Sequence, residues 1–370
     1  MFTGRGDGRR YQCGVPRRHF PGPERETGAA ERIFRACANA SRPGDRVIPL
    51  ALAAAVSAAV LALVAFRPGL APRDVPNERS LHAAPVPRAG GWAVWAGWLA
   101  VTPWIPAPPG FGGVSFAVLL GALAALFVVS LADDFRGVPA RWRLAVQVAC
   151  ALALAATLVP DAGAGGILRI AALAFVLVGA ANACNFMDGS DGLAGAMTVV
   201  GFGALAVAAM LARAPALSLL ALAFAALPFL ARNLPPARVF LGDAGSVPLG
   251  FMAAAASLAG MLAGTWPAWF PALVFLTFLA DAGVTLARRA ARGERVWEPH
   301  RTHYYQRLVL LGAGHRGTLA VYGALMLGGA AAGLACLAWQ PAAGPYALAA
   351  FVAANALLFA GIDYHWRERA

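Results

Sequence analysis

Residues 114–137 read VSFAVLLGALAALFVVSLADDFRG. Positions 114 to 132 carry no charge, and as a helix rising 1.5 Å per residue they reach about 28 Å, close to the thickness of a bilayer's hydrocarbon core. The run then stops on two adjacent carboxylates, Asp133 and Asp134. A backbone in hydrocarbon has no water to bond, so such a segment must be helical. Runs of the same kind recur at 47–66, 90–106, 143–160, 166–184, 193–212, 215–231, 245–263, 267–287, 317–339 and 343–362. The expected fold is all-α: a polytopic membrane bundle of about 10 to 11 transmembrane helices. Pro103 and Pro106 end the second span early, and Pro228 sits inside the seventh.

Composition agrees, with 59% hydrophobic and only 13% charged residues against about 25% charged in a soluble domain. The formal charge of +12 comes from arginine alone, since the chain has no lysine. That excludes a P-loop or Schiff-base lysine. The arginines collect in short loops, which fits lipid head groups or phosphates and argues against nucleic acid as a partner. The five cysteines are scattered without CxxC spacing, so neither a disulfide framework nor a zinc site is expected. Residues 1–46 are rich in Arg, Gly, Glu and Pro and read as a disordered basic tail, or as a start assigned too far upstream; residues 47–370 read as a single integral-membrane domain.

Alternate loops fall on opposite faces. The face holding loops 67–89, 133–142, 185–192, 232–244 and 288–316 carries 18 arginines after position 46 against Arg169 and Arg213 on the other, which makes it cytoplasmic. It also holds 11 of the 13 acids after that position, together with His82, His300, His303 and His315. The chemistry is therefore expected on one face.

Asp133 and Asp134 repel one another at a membrane boundary, so they ask for a cation or a proton-transfer task; the plainer reading is an acidic helix end facing water. In NACNFMDGSDGL, residues 182–193, Asp188 and Asp191 are each followed by glycine and flanked by Asn182 and Asn185, a pattern for phosphate and metal rather than a simple Asp-Gly turn. In RVFLGDAGS, residues 238–246, Gly242 and Gly245 free the backbone, Ser246 can cap the following helix, and that helix N-terminus favours a diphosphate. Asp243 is a hard oxygen ligand suited to Mg²⁺, and Phe240 is either core or a stacking platform for a base. His300, Arg301 and His303 offer donors to phosphate, whereas Arg288, Arg289 and Arg292 are what membrane topology demands anyway. Asn77, Glu78, Arg79, His82, Pro85, Pro87, Arg88, Gly90 and Gly91 form a polar first loop. Asp281, inside the ninth span, must face the bundle interior and supports the site from behind.

Taken in order, PNERSLHAAPVPRAGG, LADDF, NFMDGSDGLAG, VFLGDAGSVPLG and HRTHYYQRL resemble the polyprenyl-phosphate N-acetylhexosamine-1-phosphate transferases over roughly residues 47–330. The resemblance implies transfer of a sugar 1-phosphate from a UDP-N-acetyl sugar to undecaprenyl or another polyprenyl phosphate, with release of UMP at the inner membrane's cytoplasmic face. It implies Mg²⁺, with Mn²⁺ as the alternative, held by Asp243 and Asp188. Asp133, Asp134 and Asp243 would be catalytic. Asn182, Asn185, Asp188, Asp191, Phe240, Gly242, His300, Arg301 and His303 would bind the nucleotide sugar and its phosphates, and a homodimer is a further expectation. Two departures, His300-Arg301-Thr302-His303 in place of three histidines and no lysine after the paired aspartates, point away from the pentapeptide transferase of peptidoglycan and toward the branch that starts O-antigen or capsule chains. That pentapeptide activity and, from another class, a secondary transporter are the alternatives; a transporter would place its charges near the bilayer midplane.

Overall fold

A computed structural model describes residues 43–67, 69–76, 81, 84–159, 163–295 and 300–369, with side chains from 47 to 368. The expectation of a disordered tail over 1–46 therefore falls almost wholly outside the described residues. The rest is helical: α1 (Pro43–Phe66), α2 (Gly90–Leu99), α3 (Gly113–Arg136), α4 (Ala140–Leu158), α5 (Ala164–Met187), α6 (Leu193–Leu211), α7 (Leu217–Asn233), α8 (Asp243–Leu262), α9 (Trp269–Val274), α10 (Leu276–Ala291), α11 (Tyr304–Leu308), α12 (Gly314–Trp339) and α13 (Gly344–Arg369). A two-residue ladder, β1 (Arg73–Asp74) against β2 (Val86–Pro87), closes the first loop.

Among the described residues, eight helical stretches are long and apolar enough to span a bilayer, and α7 is a shorter apolar helix. Three expected spans take another form. The second is a ten-residue helix that gives way to a turn at Thr102–Trp104, because proline at 103 supplies no backbone donor to carry it on. The ninth is two helices, α9 and α10, with Phe275 between them. The tenth begins earlier: the end of the long loop is already helical as α11, and a wide turn over Val309–Ala313, where Gly312 takes φ 108°, joins it to α12.

The most deeply buried span is α8, and small residues let its neighbours approach. A Cβ on Gly250 would lie 2.3 Å from the Ala180 carbonyl oxygen of α5, so only glycine permits that crossing. At one end of the bundle α2 meets the start of α8 still more closely, with an added Cβ on Gly91 falling 2.3 Å from the Gly245 Cα. Two backbone hydrogen bonds fix that contact: Gly90 N–H to the Phe240 carbonyl and Gly91 N–H to the Leu241 carbonyl, each 2.8 Å. This glycine-on-glycine joint brings the first loop against the Phe240–Ser246 segment, and the site is built around it.

Candidate active site

The C-terminus of α3, the N-termini of α4 and α8 and the C-terminus of α5 meet at one end of the bundle. Asp133 is three residues from the end of α3, and the short Gly137-Val138-Pro139 turn reverses the chain so that Arg143, in the first turn of α4, lies beside it. Arg143 Nη1 donates to Asp133 Oδ2 and, at 3.0 Å, to Asp243 Oδ2. One guanidinium nitrogen thus bridges carboxylates that are 110 positions apart in sequence. Asp133 Oδ1 also accepts the Val138 N–H at 2.6 Å. The other oxygen of Asp243 accepts from Asn185 Nδ2 at 2.9 Å, and the same amide reaches Ser246 Oγ at 3.0 Å.

Asp134 is turned the other way, with its side chain fully buried. Its two oxygens accept the N–H groups of Asp243 (3.2 Å) and Ala244 (3.1 Å), so it caps α8 from a distance. The expectation that Ser246 caps this helix is not met: its hydroxyl accepts from Asn185, and its N–H bonds back to Gly242 O. The positive helix terminus is satisfied by a carboxylate. Gly242, at φ 76°, is the hinge; a Cβ there would sit 3.0 Å from Asp134 Oδ2 and 3.2 Å from Arg88 Cβ. Arg88 holds Asp74 at 2.6 Å and lies 3.6 Å from Asp134. Burial works against its charge, but Asp74, Asp134 and Asp243 together hold its pKa above the ordinary value.

Asp188 follows the last residue of α5, half-buried. Burial first, then the negative charges of Asp243 and Asp134, push its carboxyl well above the usual carboxylate range. No hydrogen bond reaches its side chain among the described residues, and the Arg88 charge works against the shift. The charges of Asp243 and Asp134 both act on it, and Asp243 shares Arg143 with Asp133.

The remaining expected site residues divide. Asn182 lies one and a half turns deeper in α5, with its amide on Gln147 Oε1 (2.7 Å) and the Val178 carbonyl, so it joins α5 to α4. Asp191 is buried, with Oδ2 on the Ala237 N–H at 2.9 Å. Its own N–H donates to His315 Nδ1 (3.2 Å), and His315 Nε2 faces the Leu81 carbonyl at 3.1 Å, so this ring ties three loops together. Phe240 is half-buried beside Gly242, its backbone paired to Pro87 and Gly90. Asn77, Glu78, Arg79 and His82 lie outside the described residues.

The last loop docks on the second. Tyr305 donates its hydroxyl to the Phe186 carbonyl at 2.9 Å, and a Cβ on Gly189 would fall 2.2 Å from that hydroxyl. The His303 ring stacks on His300 (4.8 Å), Phe186 (5.8 Å) and Tyr305 (5.9 Å). Arg301 is partly exposed and has no ion pair among the described residues. Asp281, inside α10 as expected, gathers this loop: it accepts the Tyr304 and Tyr305 N–H groups at 2.9 Å each, the Tyr322 hydroxyl at 2.6 Å and His303 Nδ1 at 3.3 Å. His303 Nε2 is buried without a hydrogen-bond partner among the described residues. Arg143, Gln147 and the loop-tying role of His315 escaped the sequence reading. Only Arg143 left a signal there, its place in the turn of an αα-hairpin opposite Asp133.

A membrane helical bundle that gathers four aspartates, an asparagine and arginines at one end defines a membrane-embedded site for phosphate chemistry. Residues 116–261 match the model of glycosyl transferase family 4. The chain is 30% identical to the decaprenyl-phosphate N-acetylglucosaminephosphotransferase of Mycobacterium leprae, over 65% of this chain and 71% of that protein. It is 26% identical to a probable undecaprenyl-phosphate N-acetylglucosaminyl 1-phosphate transferase of Bacillus subtilis, over 67% and 72%. A shorter match, 32% over 37% of this chain and 43% of the other, is to the phospho-N-acetylmuramoyl-pentapeptide-transferase of Staphylococcus aureus. The chain belongs to glycosyl transferase family 4, the polyprenyl-phosphate hexosamine-1-phosphate transferases.

Proposed function

We propose that the protein, as one transferase domain from residue 47 onward, moves an N-acetylhexosamine 1-phosphate from its UDP-sugar to a polyprenyl phosphate at the cytoplasmic face of a bacterial plasma membrane. The observation that carries this reading is the convergence of Asp133, Asp134, Asp188 and Asp243 from three separate loops at one end of a membrane bundle. An oxygen of the lipid phosphate attacks the β-phosphorus of the UDP-sugar, the bond from that phosphorus to the bridging oxygen breaks, and UMP leaves with the electron pair.

The residues suit Mg²⁺. The donors are hard carboxylate oxygens, and no hydrogen bond reaches the Asp188 side chain among the described residues. The described residues form no cluster of three or more His, Cys, Asp or Glu able to enclose a metal, and Mg²⁺ characteristically takes one or two protein carboxylates and completes its shell with substrate phosphates and water. Asp243 and Asp188 would hold the ion, which when bound neutralises diphosphate charge and stabilises the departing UMP.

The geometry separates the paired aspartates. Asp134 has both oxygens committed to α8, so it sets the position of Asp243. Asp133 is the more exposed of the two and shares Arg143 with Asp243, which suits it to orient the lipid phosphate. A phosphate monoester is largely ionised near neutrality, so orientation contributes more than proton removal. His300, Arg301 and His303 lie on the loop that docks against Phe186 and Gly189, and to them we assign selection of the sugar. For the polyprenyl chain there is an apolar groove of about 400 Å³ between α5, α8, α9 and α10, lined by Phe175, Gly179, Met197, Gly250, Phe275 and Phe278 among others. The relatives' names support N-acetylglucosamine among the possible sugars, ahead of the O-antigen sugars that the last loop suggested.

The test is UMP release by purified protein given polyprenyl phosphate, Mg²⁺ or Mn²⁺, and a panel of UDP-N-acetyl sugars, with lipid-linked product identified by mass. Asp243→Ala is expected to abolish turnover while leaving the detergent-extracted protein folded. Metal-dependent turnover retained by that variant would refute the assignment.

A further inference from the structure

α11 has two sides. Tyr305 and His303 face the catalytic loops, whereas Tyr304 faces α13, its ring stacked on Phe359 at 4.1 Å. Behind Tyr304, between α10, α11 and the cytoplasm-proximal end of α13, lies a cavity of about 490 Å³ with five arginines in its wall: 288, 289, 292, 307 and 367. The acids that answer them are Asp363, which takes Arg288 and Arg307, and Glu294, which takes Arg289 at 2.9 Å and stands 3.8 Å from Arg292. Among the described residues, the arginines of this wall outnumber the acids that pair with them, Asp363 and Glu294. Arg367 has no ion pair among the described residues, and Arg307, held between the rings of Tyr304 and Trp366 at 5.1 Å from each, keeps a buried Nε without an acceptor.

A second cavity continues from this one. A groove of about 380 Å³ runs between α10 and α13, shares Arg288, Asp363 and Arg367 with the first, and is otherwise walled by Val284, Ala356, Phe359, Ala360 and Tyr364. α13 is among the least buried spans, and Leu357 and Tyr364 beside the groove are 74% and 62% exposed, as expected of a face in contact with lipid. A basic pocket with an aromatic rim at the interface, opening into an apolar groove on the bilayer side, matches an amphiphile with an anionic head and hydrocarbon chains. It is separated by α11 from the carboxylates of the active site.

We propose that this paired pocket and groove bind one anionic diacyl phospholipid of the cytoplasmic leaflet, with its phosphodiester against Arg292, Arg307 and Arg367 and an acyl chain along α13. The test uses the full chain in neutral phosphatidylcholine nanodiscs titrated with phosphatidylglycerol, with bound lipid read by native mass spectrometry. Two variants keep the site falsifiable without touching catalytic groups. The charge-reversed pair Arg292→Glu with Arg367→Glu removes two cationic contacts at exposed positions, and Ala356→Trp fills the groove. The first is expected to weaken retention on the order of 30-fold, and the second to abolish it with the arginines intact. Occupancy equal to wild type in both variants overturns the proposal. So does displacement of the retained lipid by inorganic phosphate, which would make the pocket a free-anion site, or by polyprenyl phosphate, which would make it part of the substrate path.

Discussion

Replacing Asp281 by asparagine tests how the last loop is held. The carboxylate is fully buried, with no arginine beside it among the described residues, and it accepts from two backbone N–H groups, the Tyr322 hydroxyl and His303, with Thr285 Oγ1 at 3.3 Å completing the set. Hydrogen bonds to a charged acceptor contribute about 1.5–3 kcal/mol each, and an abandoned buried donor costs about 1–3 kcal/mol. Asparagine keeps one acceptor oxygen but turns an NH₂ toward either the Tyr304 or the Tyr305 N–H, so at least one of these donors is left facing another donor. A loss of about 2–3 kcal/mol in loop positioning corresponds to a 30- to 150-fold fall in the population that presents His303, Tyr305 and Arg301 together. Because the binding-competent fraction falls, the apparent KM for the nucleotide sugar should rise while the KM for polyprenyl phosphate stays near wild type. Tyr322→Phe removes one bond to the charged acceptor and should show the same pattern, on the order of 10-fold. The assay is UMP release with each substrate varied in turn, alongside a thermal midpoint in detergent. If Asp281→Asn lowers the midpoint but leaves both KM values and kcat unchanged, Asp281 only stabilises the bundle, and the argument that it positions the loop is wrong.

Three further outcomes follow from the site. Arg143→Ala removes the cation that bridges Asp133 and Asp243, and turnover should fall by about 10²-fold or more with partial recovery in Arg143→Lys; equal activities for the two variants would show that the bridge does not matter. Asp188 carries a raised pKa from burial and from its neighbours' charge, so its proton must leave before it can bind a cation: the Mg²⁺ concentration for half-activation should fall as pH rises above the ordinary carboxylate value of about 4, and Asp188→Asn should flatten that dependence. The same shift means that Asp188 favours the fold in its protonated form, so the metal-free protein should lose thermal stability as pH climbs through that raised pKa; a midpoint independent of pH would count against it. Gly91→Ala places a methyl 2.3 Å from the Gly245 Cα, backbone against backbone, so it should cost about 1–3 kcal/mol of stability and most of the activity; a thermal midpoint and rate at wild-type levels would refute the joint between α2 and α8.

How far the sequence could be read follows from what each kind of residue has to satisfy. A span of uncharged residues has one solution in lipid, so the bundle and most of its helices were legible from composition and run length. The alternation of loops then placed Asp133, Asp188 and Asp243 on one face before any coordinates. Which oxygen meets which donor was not legible, because it depends on pairings between distant segments. Asp134 and Asp133 are neighbours on a helix end, yet successive side chains on a helix point about 100° apart. One therefore caps α8 and the other meets Arg143, although nothing in the dipeptide distinguishes them. Asp191 and Asn182 show the same limit from the other side. A motif gathers residues that a loop needs to hold its shape along with those that touch a ligand, and their chemistry is alike until the partners are known: Asp191 bonds the Ala237 N–H, and Asn182 bonds Gln147. Asp281 was the one supporting residue the sequence did reveal, since a carboxylate deep in an apolar span is too costly to leave without several donors, and the structure supplies four kinds of them.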